Sequence, residues 1–219
     1  MTSNGLVGRA RTSLGIGCCV ALVVSGCAHA TTRVDTTSAT PSAAPDDING
    51  LIVGVAEVAR TAGIDDLRAS PTKHQPSHYP KAGAPPPCQP PYQDDLSFGT
   101  GWTQYRAEAY AASMSPGPGQ ANVMADILQS VAVYPDAGVA RAQFDRVDSL
   151  LKACAALGDP DYDYGVTRPD GATLYGSAGS VPFGYLVKAT VLVKVVALGL
   201  PDPGRVRSEV LQRIGDRIH

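Results

Sequence analysis

The sequence predicts an α+β fold: a single domain with a mostly antiparallel sheet, helices flanking it, and one disulfide. Three observations predict it. Strand-like runs, alternating or β-branched, lie between segments whose apolar residues recur every three or four positions. The portion able to fold, residues 48–219, is roughly 170 residues, a length suited to one core. Of five cysteines, only Cys88 and Cys154 fall inside that portion.

The chain opens with the three parts of a secretory leader, residues 1–26. Arg9 and Arg11 give the positive start. Leu14 to Val24 is an apolar run of about eleven residues, too short to span a hydrocarbon core of ~30 Å as a helix. Ser25 and Gly26 are the small residues before the cut, and Cys27 follows. Val24-Ser25-Gly26-Cys27 resembles the lipobox of bacterial lipoproteins. That resemblance implies cleavage before Cys27 and diacylglycerol on its sulfur. Each buried acyl CH₂ contributes roughly 0.8 kcal/mol, so two chains anchor firmly where one is marginal. The alternative is ordinary cleavage at Ala28-His29-Ala30.

Residues 27–47 follow the leader as a lipidated cysteine and an Ala/Thr/Ser/Pro stalk without apolar periodicity. Such a segment cannot bury enough surface to offset its ordering entropy. The formal charge of the whole chain is −2, and loss of Arg9 and Arg11 makes it more acidic. A slightly acidic domain is a poor match for the phosphate backbone, so nucleic acid is not expected as a partner.

Asp46-Asp47 precedes the domain, residues 48–219, and Ile48, Leu51, Ile52, Val55, Val58 and Ala59 follow at a spacing that predicts an amphipathic helix stopped by Gly63. Ser70 to Gln93 is dense in proline and reads as an exposed, partly polyproline loop carrying Cys88. Trp102 to Ala112 reads as a strand, and Val123 to Tyr134 as a second, with a helix over Met124-Ala125-Asp126-Ile127-Leu128 as the alternative there. Asp136 is a helix cap, and Ala140, Phe144, Val147, Leu151 and Cys154 form the apolar stripe of the helix behind it. Tyr164 to Tyr175 and Val181 to Leu200 read as strands joined by a Gly/Ser turn, the second being one strand or two. Lys188 and Lys194 argue against a membrane span there, at about 2.5–3.5 kcal/mol each near the bilayer centre. Pro203 opens a last helix whose stripe is Val206, Val210, Ile214 and Ile218.

In an oxidising compartment Cys88 and Cys154 are expected as a disulfide, closing a loop of about 66 residues. Two buried free thiols are the alternative.

Several blocks resemble one family. They are Leu51-Ile52-Val53-Gly54-Val55-Ala56-Glu57-Val58-Ala59, Gln129-Ser130-Val131-Ala132-Val133-Tyr134-Pro135, the helix from Phe144 to Cys154, and the closing strand and helix. Together they resemble the extracellular sensor domain of the mycobacterial PknH-type serine/threonine kinases, which also occurs in stand-alone lipoproteins. The resemblance implies a mixed sheet with helices and a cleft for an external ligand. The kinases have two disulfides, whereas this chain keeps cysteines for one. A tryptophan expected near the helix cysteine is replaced by the Leu150–Leu151 stretch. No kinase motif is present in the sequence.

The remaining residue types narrow the chemistry. His74 and His78 are four apart, but Pro76 between them removes the helical two-histidine metal face. Asp159, Asp161, Asp163 and Asp170 have calcium-loop spacing in outline, without the sixth-position glycine or the final glutamate, and read as an exposed acidic turn. No metal and no cofactor is expected. The aromatics Trp102, Tyr105, Tyr164, Tyr175 and Tyr185 are the candidate lining of a ligand cleft, set against ordinary core positions.

The expected function is a lipid-anchored, non-enzymatic binding or sensing domain on the outer face of the cytoplasmic membrane. Its expected partners are the membrane through Cys27, a small molecule, wall fragment or lipid in the cleft, and a membrane protein that carries the signal. The alternatives are an envelope hydrolase or transferase using an acid pair such as Asp161 and Asp163, and a purely structural envelope lipoprotein.

Overall fold

Six strands form one antiparallel sheet, and its central strand explains the long apolar run near the C-terminus. The computed structural model describes residues 47–115, 119 and 121–219. Cys27, the expected leader and the stalk up to residue 46 lie outside the described residues. The strands are β1 (Arg68–Ala69), β2 (Gln104–Met114), β3 (Val123–Val133), β4 (Thr173–Ala178), β5 (Val181–Lys188) and β6 (Val191–Leu198), in spatial order β1-β2-β3-β6-β5-β4. β2 and β3 pair along their whole length, from Gln104↔Val133 to Met114↔Val123. β6 sits between β3 and β5 and is covered on both faces, so it is apolar at nearly every position.

Side chains alternate across the sheet and feed two cores. Val191, Val193, Val195 and Ala197 point to one face, with Ile127 and Val131 of β3. Against them pack α1 (Val55–Ala62) and α4 (Pro203–Asp216), the latter through Val206, Val210, Leu211 and Ile214. Burying each such side chain contributes roughly 1.5–3 kcal/mol. Leu192 and Val196 point to the other face, with Phe183 and Tyr185 of β5. That face is covered by α3 (Ala137–Ala155), through Phe144, Val147 and Leu151, and by the segment around α2 (Asp94–Phe98).

The caps behave as their residue types require. Asp136 accepts from the Val139 N–H at the start of α3, and Asp202 accepts from Arg205 N–H ahead of Pro203 in α4. Gly63 ends α1 at a left-handed φ of 71°.

Three elements differ from the sequence expectation, and a fourth resolves an alternative it left open. The first helix is split: residues Ile48–Leu51 make a 3-10 turn, and α1 begins only at Val55. Between them Val53 is extended, because Gln129 pairs with it as a strand would. The Gln129 side chain accepts from Val53 N–H at 3.0 Å and donates to Val53 C=O at 2.7 Å. The proline-rich loop is not exposed throughout: Cys88, Gln89, Pro90 and Pro91 are buried, and α2 follows directly. The expected strand from Tyr164 is a loop until Thr173, broken by Gly165, Pro169 and Gly171, with a single bridge at Thr167↔Tyr175. The Val181–Leu200 run is two strands, turned at Ala189 and Thr190.

Cys88 and Cys154 are bonded, with Cα atoms 4.9 Å apart, and the bond ties the proline-rich segment to the end of α3. Among the described residues no helix is long and apolar enough to cross a membrane.

Candidate functional site

Residues Cys88–Phe98 lie across the sheet face that α3 leaves open, and tyrosine hydroxyls fasten them there. Tyr164 donates to Cys88 C=O at 2.8 Å, Tyr185 to Pro90 C=O at 3.1 Å, and Tyr134 to Phe98 C=O at 2.7 Å. Tyr105 donates to the Asp94 carboxylate at 2.7 Å. Prolines leave backbone carbonyls without a local ladder, and these phenols supply the missing donors. Each phenol is buried in the core beneath, and burial raises the Tyr105 pKa first, with the nearby Asp94 charge adding to it.

An ion pair lies at the centre of this roof. Lys194 Nζ on β6 is 3.0 Å from the Asp94 carboxylate and 3.2 Å from Pro90 C=O. The lysine side chain is only 5% exposed. Burial alone would raise the Asp94 carboxyl, but the Lys194 ammonium and hydrogen bonds from Tyr105, Lys194 and Ser77 outweigh it and hold the group below its ordinary range. Burial likewise pulls Lys194 down, and Asp94 more than restores it. Both groups are therefore charged at neutral pH.

Beside the pair opens a cavity of about 370 Å³, within the roughly 300–1,000 Å³ typical of small-ligand sites. Its floor is the sheet: Leu128 and Ser130 of β3, Val196 and Leu198 of β6, and Phe183 of β5. Its walls come from the proline-rich segment through Tyr79, Pro91 and Tyr92, and Lys73 stands at its edge. No α3 residue lines it. Leu128 is 40% exposed and Tyr79 is 69% exposed, so apolar surface faces solvent at the mouth.

Residues 43–217 match the family described as PknH-like extracellular domain. The chain belongs to that family. Its fold is also that of a solved structure, the extracellular domain of PknH from Mycobacterium tuberculosis, with a TM-score of 0.58 at 17% identity. The likeness covers 81% of this chain and 98% of that one. At such identity it speaks for the fold. No curated protein sequence matches the chain. The PknH-like extracellular domain is known as the outer, sensor-like part of kinases and not as a catalytic domain.

The five aromatics expected to line one cleft are not brought together. Tyr105, Tyr164 and Tyr185 are buried, their hydroxyls taken by Asp94, Cys88 and Pro90. Strand alternation puts Tyr105 and Tyr185 on the α3 face, and Tyr164 reaches the roof from the loop that precedes β4. Tyr175 lies toward the opposite core, beneath the Arg207 guanidinium at 4.0 Å. With Tyr164 it borders a second, more open hollow. Trp102 is half-buried beside Tyr105 at the rim of a third.

The acidic residues of the 159–170 stretch serve their own turns. Asp159 accepts from Asp161 N–H, Asp163 from Gly165 N–H, and Asp170 from the Ala172 and Thr173 N–H groups. Among the described residues no group of three or more His, Cys, Asp or Glu is placed to hold a metal ion. Asp94, Lys73 and Leu128 are not singled out by the sequence, and Lys194 only as a charge that argues against a membrane span. Lys194 within an apolar strand was the available signal, since a buried lysine requires an anion.

Proposed function

We propose that this protein is a lipid-anchored extracytoplasmic domain that binds a ligand and acts as a sensor without catalysis of its own. Diacylglycerol on Cys27 anchors it to the outer face of the cytoplasmic membrane. The stalk between Cys27 and residue 47 gives the domain reach above the bilayer. Membership of a family of extracellular sensor-like domains supports the location and the class. The observation that carries the binding reading is the apolar cavity between the sheet and the proline-rich roof. Its floor is fixed by strand pairing, and its roof is held by tyrosine hydroxyls and the Lys194–Asp94 pair, so the site is preformed. In this reading the signal passes to a membrane protein partner.

Native mass spectrometry of the protein purified from its own envelope tests this reading. The expected result is a retained small molecule that leaves on mild activation. A protein that is empty under every gentle preparation, and stays empty after exposure to an envelope extract, would remove the ligand-binding reading.

A further inference from the structure

We infer that the cavity beside the proline-rich roof takes an amphiphile with a single anionic head and an apolar chain, its head against Lys73 and its chain along Leu128, Val196 and Leu198. The inference rests on the ligand-binding reading and names the ligand class.

Charge complementarity decides the head. The lining holds three charged groups: Lys73, Lys194 and Asp94. Lys194 and Asp94 neutralise each other at 3.0 Å, and both are largely buried. The Asp94 carboxylate accepts from Lys194 on one oxygen and from Tyr105, Ser77 and Ser130 on the other, so a cationic ligand would have to compete with the buried ammonium for it. Lys73 is different. Its side chain is exposed at the edge, its ammonium rests over the Tyr79 ring at 5.2 Å, and it forms no ion pair among the described residues. The site as a whole therefore carries one uncompensated positive charge, at its mouth and not in its depth.

Apolar surface decides the rest. The floor beyond Lys73 is Leu128, Val196, Leu198 and Val181, with Ala178 at its end. Asp126, two residues before Leu128 on the same strand face, ends the apolar floor there, so the chain runs from Leu128 toward Val196, Leu198 and Val181. A sugar or peptide fragment would need several hydrogen-bonding groups along that track, and the floor provides only the Ser130 hydroxyl, which donates to Asp94. An alkyl chain needs none and gains from leaving water.

Calorimetric titration of the purified protein with dodecanoate, dodecanol and dodecylammonium, all kept as monomers, tests the inference. Dodecanoate should bind at least tenfold tighter than dodecanol, and dodecylammonium should bind weakest. Lys73→Gln should remove most of the preference for dodecanoate and leave dodecanol unchanged. Leu128→Asn should weaken dodecanoate and dodecanol alike by tenfold or more. Both positions are exposed, so thermal melts should match the parent protein. Equal binding of the three heads, no binding of any, or a preference that survives Lys73→Gln would each overturn the inference. If the envelope-purified protein retained a chainless polar molecule, ligand binding would stand and the amphiphile would fall.

Discussion

Lys194 and Asp94 stand 100 residues apart in the chain, yet their charged atoms lie 3.0 Å apart at the junction of sheet, roof and cavity. The lysine projects from the most buried strand, and the aspartate is the first residue of a five-residue helix. Removing one partner strands the other in a site of low polarity, which costs about 3–5 kcal/mol. Lys194→Met should therefore lower the unfolding free energy by that order in urea titration. Lys194→Met combined with Asp94→Leu should recover much of it, since no unpaired charge is left. A double variant as unstable as Lys194→Met would show that the pair is not a closed unit.

The same pair sets a pH window. Asp94 is held below its ordinary pKa in the folded state, so its contribution is present above the unfolded value of about 3.9 and is lost as pH falls through the folded one. Lys194 is held above its ordinary pKa, so its contribution is present below about 10.4 and is lost as pH rises through the folded value. The stability difference between the parent and the Lys194→Met/Asp94→Leu protein should be flat from about pH 5 to 9 and shrink at both ends. Burial raises the Tyr105 and Tyr185 phenols, which adds an alkaline loss of its own. Tyr105 donates to Asp94 and Tyr185 lies beside Lys194, so the phenols belong to the alkaline limb of the difference, and the acid limb isolates Asp94. A difference that stayed constant from pH 3 to pH 11 would contradict the assignment.

The layers of the fold were legible because periodicity reports which side of an element is buried. Val206, Val210, Ile214 and Ile218 announce α4, and Phe144, Val147 and Leu151 announce α3. The roof was not legible, since proline density hides a helix as short as Asp94–Phe98. The split of the first helix turns on Gln129, which pairs with Val53 from 76 residues away. The site suffered most. Tyrosines on a sheet look alike in sequence whether their hydroxyls face a ligand or a proline carbonyl, and only the tertiary fold shows that Tyr164 and Tyr185 meet Cys88 and Pro90.

The anchor is tested at Cys27. If its sulfur carries diacylglycerol, Cys27→Ala should give a protein with an uncut leader that takes up no fatty-acid probe, while the parent protein is labelled and partitions with membranes. Two acyl chains hold where one is marginal, so the parent should resist extraction by high salt. Labelling of Cys27→Ala equal to the parent would refute lipidation at this residue.

The disulfide makes the sharpest case for coupling between roof and helix. Cys88 and Cys154 are 66 residues apart, and closing such a loop restricts the unfolded chain by about 4 kcal/mol in the chain-entropy account. The bond also fixes the entrance of the roof, next to the Tyr164–Cys88 hydrogen bond. Cys88→Ser and Cys154→Ser should each lose a similar stability, and the double variant should lose little more, because both substitutions break one bond. Equilibrium unfolding of all four proteins closes the cycle. Losses that add would mean that the two sulfurs act separately. If the roof is seated partly by this bond, the single variants should also weaken binding at the cavity, although neither cysteine lines it. Affinity unchanged alongside reduced stability would mean that the tyrosine hydroxyls and the Lys194–Asp94 pair seat the roof without it.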